Sequence, residues 1–257
     1  TQLQRPRLVP HWDEVPEEQL SEEISKAGIV GLGGAAFPMH VKLRPPEDQP
    51  VDVLMINGSE CEPYLTSDNR TMLERPEYIY QGIRIVLRAL GISRAVIGIE
   101  VNKPDAIEVM RNAAPDDLDI QVQPLKVKYP QGAEKMLIKA VTGREVPSGK
   151  LPASVGALVQ NVATTASVAL VFETGQPLIE RIITVSGRGI RQPGNWVIPF
   201  GTKLSDVIAA CGGFTEDASE IVFGGPMMGQ SQASLDVPVL KATGGILVLS
   251  KDECKRQ

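Results

Sequence analysis

Residues 51–57 have the sequence VDVLMIN, and a glycine follows at position 58. A short apolar run that stops at an Asn-Gly pair predicts a buried strand with a loop directly after it. Similar runs at 95–101 and 120–127 predict two further buried strands. Helical spacing of apolar residues appears between and after these runs, at 77–90, 104–114 and 133–141. Strand and helix therefore alternate, which predicts a parallel sheet with helices on its faces.

The two ends of the chain differ from this alternating part. Before it, an acidic segment at 13–27 predicts a short amphipathic helix that Pro16 opens. After residue 180, a β-branched run at 181–186 and a short strand at 196–199 precede a helix at 204–211. A strand at 221–223 follows, and 246–249 could add a final one. Hairpin, helix and strand in this order are typical of a small β-grasp module.

The composition narrows the possible functions. A net charge of −5 argues against a nucleic-acid-binding protein. The same charge is also explained by solubility alone. No apolar run approaches the roughly 20 residues of a membrane-spanning helix, and the polar start of the chain shows no secretory signal. Its three cysteines are far apart and form no C-x-x-C pair, which predicts no zinc site or disulfide and a reducing compartment. We therefore expect no metal site in this chain, and chemistry that belongs to an organic cofactor.

Residues 28–38 form a glycine-rich loop, GIVGLGGAAFP, with Lys42 shortly after it. Glycines allow a phosphate or a flat ring to approach the main chain, and a lysine can add positive charge. The loop is neither a Walker A sequence nor a Rossmann fingerprint, since no strand is predicted to lead into it. A tight structural turn and a cofactor-binding loop both remain open.

The loop after the first strand has the sequence NGSECEPY at residues 57–64. Ligands of parallel sheets lie beyond the carboxyl ends of the strands, where this loop is expected. Its two carboxylates and the asparagine suit a polar ring edge or ribose hydroxyls, although a solvated acidic loop would have the same composition. Cys61 suggests a nucleophile or metal ligand, but without a nearby histidine a packing role fits better.

Two further stretches are expected at the same edge of the sheet. Residues 129–135, YPQGAEK, follow the third strand and open a helix, so Glu134 could serve the helix dipole or contact a ligand. Residues 160–164, QNVAT, are expected where a strand passes into an apolar helix. Their amide side chains could contact a ring or phosphate, or only cap the helix.

The four stretches together, in this order, resemble the flavoprotein subunit of respiratory complex I and its relatives. More closely, GIVGLGGAAFPMHVK (28–42), INGSECEPYLTSD (56–68), YPQGAEKMLIKAVTGREVPSG (129–149) and VQNVATTASVAL (159–170) resemble the C subunit of Rnf-type ion-translocating ferredoxin:NAD⁺ oxidoreductases. The segment at about 180–228 resembles the SLBB domain of both families. The resemblance covers residues 28–250 and implies FMN as cofactor and NAD(H) as substrate.

The resemblance also implies roles for residues of the glycine-rich loop. Gly31, Gly33, Gly34 and Lys42 are implied to hold FMN or the pyrophosphate of NADH. Phe37 is implied to pack against a nucleotide ring. No counterpart of the aromatic pair that stacks adenine in the complex I relatives is visible, so the resemblance supports FMN binding better than NADH binding.

The remaining implied contacts come from the loops after the strands. Asn57, Ser59 and Glu60 are implied to meet the flavin, and Glu62 to position NADH; no side chain is expected to act as a nucleophile. Ser59 stands where the complex I relatives have an aspartate, and Ala133 where they have a glutamate, so we expect a different flavin potential. The other implied contacts are Tyr129, Gly132 and Glu134 at the third strand, and Gln160, Asn161 and Thr164 on the flavin phosphate side.

The implied protein is therefore an α/β flavoprotein oxidoreductase with a Rossmann-like FMN/NADH-binding domain at 1–178 and a β-grasp (SLBB) domain at 179–230. Residues 231–257 are expected to form a strand and a linker. Family members continue into a ferredoxin-like segment, so two [4Fe–4S] clusters are expected beyond Gln257. Other Rnf subunits, both membrane and iron–sulfur ones, are the implied partners. The implied location is peripheral, on the cytoplasmic face of the bacterial inner membrane.

Two other functions fit part of the same pattern. A cobalamin reductase of the propanediol-utilisation type shares the glycine-rich loop, the Glu-Cys-Glu-Pro loop and the SLBB module. The run GREVPSG at 143–149 is more like the Rnf subunit. Alternatively, the chain is a docking scaffold with a vestigial flavin site, as the loss of two carboxylates would allow.

Overall fold

The computed structural model describes residues 11–254. The first ten residues of the predicted FMN domain and the last three of the predicted linker lie outside this range. The chain divides into two compact units. The first contains the described residues up to Gly31, Phe37–Cys61 and Asp68–Leu178. The second contains Leu32–Ala36, Glu62–Ser67 and the described residues from Ile179 onward.

A four-stranded parallel sheet forms the centre of the first unit. Its strands are β1 (Val53–Gly58), β2 (Arg94–Glu100), β3 (Asp119–Leu125) and β4 (Ala157–Asn161), in the order β3-β2-β1-β4. The register pairs Asn57 of β1 with Gly98 of β2 and with Asn161 of β4. All four strands therefore end at one edge, as the alternation of strand and helix predicts.

Seven α-helices lie within residues 11–178. They are α1 (Glu17–Lys26), α2 (Met39–Lys42), α3 (Ser67–Glu74), α4 (Pro76–Leu90), α5 (Pro104–Asn112), α6 (Glu134–Thr142) and α7 (Val162–Thr174). Pro76 occupies the first helical position of α4, and Gly91 ends it with a φ of 64°, a conformation that glycine adopts without steric cost. No helix in residues 11–254 is long and apolar enough to cross a membrane.

The core of the first unit follows from the alternation of side chains along its strands. On β1, Val53 and Met55 point to one face, where they pack with Val159 of β4 and with Leu137 and Ile138 of α6. Every one of these five side chains is buried. Burial of apolar area drives this packing and fixes the sheet edge on which the loops sit.

The second unit contains a five-stranded mixed sheet and a helix, α8, at Leu204–Ala210. Its strands are β5 (Glu180–Ser186), β6 (Gly194–Pro199), β7 (Ala218–Phe223), β8 (Gln230–Ser231) and β9 (Gly245–Ser250). The order is β6-β5-β9-β7-β8, so β9 lies in the middle of the sheet. The predicted fold class, a parallel-sheet domain followed by a small second β module, is confirmed.

Candidate functional site

The carboxyl edge of the parallel sheet is the natural place for a ligand in the first unit. After β1 the chain continues to β2 on one side, whereas β4 lies on the other side of β1. Such a reversal of strand order leaves a crevice outside the ends of the two central strands. The loops after β1, β3 and β4 carry most of the predicted contacts, and all three begin at this edge.

Asn57, at the end of β1, ties two of these loops together. Its Nδ2 donates to the carbonyl oxygen of Gly132 at 2.7 Å, and its Oδ1 accepts from the backbone N–H of Ser59 at 3.0 Å. A Cβ at Gly132 would lie 2.5 Å from the carbonyl oxygen of Ser59, so only glycine allows this approach. The loops after β1 and β3 are therefore in direct contact.

The ammonium group of Lys42 lies beside strand β4 of the same sheet. Its Nζ lies 2.5 Å from Oε1 of Glu134 and donates to the carbonyl oxygen of Val159 at 3.1 Å. The lysine side chain is only 24% exposed, which leaves it less hydrated than a surface lysine. A partly buried cation held by one carboxylate can exchange that partner for an anionic ligand.

Glu60 holds the loop after β1 against the start of α3. Its two carboxylate oxygens accept the backbone N–H groups of Asp68 and Asn69, at 2.9 and 3.1 Å. Lys103 donates to the carbonyl oxygen of Glu60 at 3.3 Å. Burial, together with the nearby charge of Asp68, raises the pKa of Glu60 to about 7. This carboxyl group is therefore part of the loop architecture and titrates near neutrality.

Asn161, at the end of β4, caps α7. Its Oδ1 accepts the backbone N–H groups of Ala163 and Thr164, at 2.9 and 3.2 Å. Its Nδ2 donates to Oδ2 of Asp68 at 2.5 Å. The sequence allowed two roles for this amide, ligand contact and helix capping. The contacts show that it caps the helix.

Three buried polar atoms at this edge have no hydrogen-bond partner in the described part of the chain. They are Oγ of Ser59, Oε1 of Gln131 and Nε2 of Gln160. The three residues are 6%, 1% and 2% exposed. A buried polar atom without a partner destabilises a protein by about 1–3 kcal/mol. Several such atoms at the edge where parallel sheets bind ligands fit a place that a polar ligand completes. A flavin carries hydrogen-bond donors and acceptors on its ring edge, and the residues present fit it.

Gln131 was missed by the sequence interpretation, although it lies inside a stretch that the interpretation singled out. Its neighbours Tyr129 and Gly132 were predicted contacts. Tyr129 is 43% exposed, whereas Gln131 is almost fully buried. Burial inside a turn has no periodicity, so no pattern of apolar residues could have distinguished the two.

The other predicted contacts are distributed between the units. Gly31 and Phe37 belong to the first unit and flank the turn of the glycine-rich loop, where the N–H of Gly31 donates to the carbonyl oxygen of Phe37 at 2.8 Å. Phe37 is 46% exposed. Gly33 and Gly34 belong to the second unit, in which Arg181 of β5 donates to the carbonyl oxygen of Leu32 at 2.8 Å.

Glu62 belongs to the second unit as well. Its Oε2 accepts the backbone N–H of Met227 at 3.0 Å, and its Oε1 is buried without a partner in the described residues. Gly225 makes room for this side chain, since a Cβ there would lie 2.1 Å from the same Oε2. The prediction that Glu62 positions NADH stays a prediction.

The cysteine, histidine and carboxylate side chains are the groups that could ligate a metal ion. No group of three or more histidine, cysteine, aspartate or glutamate side chains that could hold a metal ion is found within residues 11–254. Cys61 is partly exposed and its thiol is free. Its Sγ lies 3.5 Å from where a Cβ of Gly132 would stand, so it contributes to the packing of the two loops.

Comparison with known proteins identifies both units. The family model of the Nuo51 FMN-binding domain matches residues 24–170, and that of the SLBB domain matches residues 182–231. A crystal structure of an NAD⁺-reducing [NiFe]-hydrogenase in the air-oxidized state has the same fold, with a TM-score of 0.76 and 24% identity. The match covers 94% of this chain and 50% of that one.

Curated relatives match over nearly all of the chain. The C subunit of the proton-translocating ferredoxin:NAD(+) oxidoreductase complex of Clostridium ljungdahlii is 51% identical over 95% of this chain. The C subunit of the Na(+)-translocating complex of Acetobacterium woodii is 45% identical over 97% of it. The matches cover 53% and 57% of those two proteins, so the chain spans about half the length of the relatives.

Proposed function

Since the chain belongs to the family of the Nuo51 FMN-binding domain, we propose that it binds FMN at the carboxyl edge of the parallel sheet in its first unit. The observation that carries this proposal is the set of buried polar atoms without partners at that edge, on Ser59, Gln131 and Gln160. Ser59 and Gln131 lie on the loops after β1 and β3, and Gln160 lies near the end of β4. The hydrogen bond from Asn57 to Gly132 joins the two loops. FMN that enters there with its ring and its phosphate would provide partners for all three.

Different residues of the first unit are proposed to contact different parts of FMN. Lys42 provides the cation for the phosphate. The amide groups of Gln160 and Asn161 lie at the end of β4, beside β1, and Thr164 follows in the first turn of α7. Asn57, Ser59 and Glu60 contact the flavin, and Tyr129, Gly132 and Glu134 close the pocket from the loop after β3. Bound FMN supplies hydride exchange with a nicotinamide and single-electron exchange with iron–sulfur clusters.

The chain itself orients the flavin and sets the electrostatic field around it. Ser59 and Ala133 carry no charge where related flavoproteins have carboxylates. Fewer negative charges near the ring favour its reduced, electron-rich form and raise its reduction potential. The raised pKa of Glu60 acts in the same direction, because a protonated carboxyl adds no negative charge below about pH 7.

NAD(H) is the proposed substrate. Gly31, Gly33 and Gly34 are proposed to approach its pyrophosphate, and Phe37 to pack against a nucleotide ring. Glu62 is the proposed positioning residue for the nicotinamide nucleotide, because its Oε1 is a buried acceptor that still lacks a donor in the described residues. A ribose hydroxyl or a carboxamide N–H group would provide one.

The whole protein is proposed to act as the C subunit of an ion-translocating ferredoxin:NAD⁺ oxidoreductase complex. Two [4Fe–4S] clusters in a further part of the protein would exchange electrons with the flavin, and the other Rnf subunits would be its partners. The proposed place is peripheral, on the cytoplasmic face of the cell membrane. The named relatives of similar sequence support this proposal.

Anaerobic reduction by NADH tests the proposed reaction. The chain reconstituted with FMN should lose its flavin absorption band when NADH is added without oxygen. Glu62→Gln should bind FMN with unchanged affinity but require a higher NADH concentration for half-maximal bleaching. Flavin that binds and stays oxidised in excess NADH would contradict the proposed substrate and leave FMN binding intact.

A further inference from the structure

We propose that Gln131 is a further flavin-binding residue whose side-chain oxygen accepts a hydrogen bond from an N–H or O–H group of FMN. This inference rests on the proposed function and adds to it a contact that the predicted set of binding residues does not contain. It also assigns the flavin ring or the ribityl chain, and not the phosphate, to the turn after β3.

The burial of Gln131 is the first argument. The residue is 1% exposed, and its Oε1 is buried without a hydrogen-bond partner in the described residues. An amide oxygen transferred from water into such a place loses its hydrogen bonds to the solvent. A methionine has nearly the same shape and would fill the place without this loss. The amide is explained if a ligand provides the missing donor.

The backbone around Gln131 is the second argument, because contacts on both sides of the residue hold its turn in place. The N–H of Gln131 donates to the carbonyl oxygen of Lys128 at 2.9 Å. The next residue, Gly132, accepts from Asn57 at 2.7 Å and approaches the backbone of Ser59 closely. The turn is thus fixed at both sides of Gln131. Gln131 is therefore presented by a turn that the loop after β1 holds in place.

The hydrogen-bonding chemistry of Ser59 and Gln131 limits which part of the ligand can lie beside them. Oγ of Ser59 is buried without a partner in the described residues as well, on the segment that Gly132 contacts. A hydroxyl can donate or accept, whereas the amide oxygen of Gln131 can only accept. An ionised phosphate offers acceptors alone and would leave this oxygen unsatisfied. The flavin ring has an imide N–H between two carbonyl groups, and the ribityl chain has hydroxyls, so either part supplies the required donor.

The experiment compares Gln131→Met with Gln176→Met in the 257-residue chain. Oε1 of Gln176 is also buried without a partner in the described residues, but this residue follows the end of α7, about 20 Å of helix away from the end of β4. Both variants replace an amide of the same kind by an apolar group of the same size. FMN affinity is measured by fluorescence titration, and the melting temperature is measured without FMN.

Gln131→Met should raise the Kd for FMN about tenfold, which corresponds to one lost hydrogen bond. The melting temperature of the FMN-free variant should stay the same or rise, because the substitution removes a buried amide that lacks a partner. Gln176→Met should leave the Kd unchanged. An unchanged Kd for Gln131→Met, or a loss of affinity that comes with a lower melting temperature of the FMN-free protein, would overturn the inference.

The wild-type titration separates this inference from the proposed function. If the wild-type chain shows no saturable FMN binding, the proposed function itself is wrong. If the wild type binds FMN and Gln131→Met binds it equally well, the function stands and only the role of Gln131 is rejected.

Discussion

Glu60 connects two structural elements through a group that titrates near neutral pH. Its carboxylate accepts two backbone N–H groups at the start of α3, and burial raises its pKa to about 7. Its ordinary value is 4.5. The folded state therefore favours the protonated form more than the unfolded state does. This difference makes the stability of the first unit depend on pH.

The direction of the pH dependence follows from the raised pKa of Glu60. Below pH 4.5 the group is protonated in both states, and its contribution to stability is fully present. Between pH 4.5 and about 7 the unfolded chain ionises first, so the contribution is lost as the pH rises. Relative to Glu60→Gln, the wild type should lose roughly 1–3 kcal/mol of unfolding free energy over this window.

Urea denaturation of the FMN-free protein at several pH values measures this difference. Glu145→Gln is the control, because the hydrogen bond from the exposed Lys139 lowers the pKa of Glu145 and its contribution has the opposite direction. If the stability of the wild type and of Glu60→Gln changed with pH in the same way, the pKa of Glu60 would not be raised in the folded protein. The proposed burial of this carboxyl group would then be wrong.

At the level of secondary structure, the sequence predicted the alternation of the first unit well. The predicted strand at 51–57 and helix at 77–90 are found at Val53–Gly58 and Pro76–Leu90. Both have strong apolar periodicity, and proline and glycine mark the helix ends. The position of β4 beside β1 was not predictable, because the alternation of strands and helices does not specify which strands are neighbours.

Helix α3, at Ser67–Glu74, was not predicted at all. Its sequence, SDNRTMLE, is polar and short, and it gives no clear apolar face. The helix is supported from outside its own sequence by the Glu60 carboxylate, which accepts the N–H groups of Asp68 and Asn69. A stabilising group that precedes the first helical residue by seven positions lies beyond the reach of local sequence rules.

Asn161 is expected to stabilise α7 through its cap and α3 through Asp68. Asn161→Ala removes both hydrogen-bonding roles and should lower the unfolding free energy by about 1–2 kcal/mol. Asn161→Ser keeps a capping oxygen but is too short to reach Asp68, so it should recover part of the loss. Chemical denaturation of the FMN-free protein measures both values.

Asn161→Ser is the matched control, because it measures the contribution of the helix cap without the hydrogen bond to Asp68. If Asn161→Ser is as unstable as Asn161→Ala, the cap contributes little and the bond to Asp68 dominates. If both variants are as stable as the wild type, neither contact stabilises the helices, in contradiction to the geometry at 2.5–3.2 Å.

At the scale of the whole chain, the motifs predicted a flavoprotein module followed by an SLBB module, and the comparisons confirm this resemblance. The role of the final strand was harder to foresee. The run at 246–249 predicted only an added strand, whereas β9 lies between β5 and β7 in the second sheet. Its position depends on pairing between residues some 60 positions apart, such as Thr184 and Gly245. Local sequence patterns cannot predict such a pairing.

The central position of β9 predicts the result of a truncation. A chain that ends at residue 230 loses β9, which pairs with β5 on one side and with β7 on the other. The remaining strands can then form no single sheet, and Ile183 and Val185 of β5 lose the packing of Ile246 and Val248. Hydrogen exchange of β5 should therefore become fast, while β1 in the first unit stays protected.

A chain that ends at Cys254 is the control for this truncation, because it keeps every strand of the second sheet. Slow exchange of β5 in the shorter chain would show that residues 179–230 fold without β9, and the assigned strand order would be contradicted.

Titration with FMN tests the central claim most directly. The flavin fluorescence of the wild-type chain should be quenched saturably, at one FMN per chain. Gly132→Ala should weaken binding at least tenfold, because its Cβ would lie 2.5 Å from the carbonyl oxygen of Ser59 and force the two loops apart. Gly244→Ala is the control, since the nearest atom lies 3.6 Å from its Cβ. Unsaturable quenching in the wild type, or equal affinity of Gly132→Ala, would contradict the assignment of the flavin site.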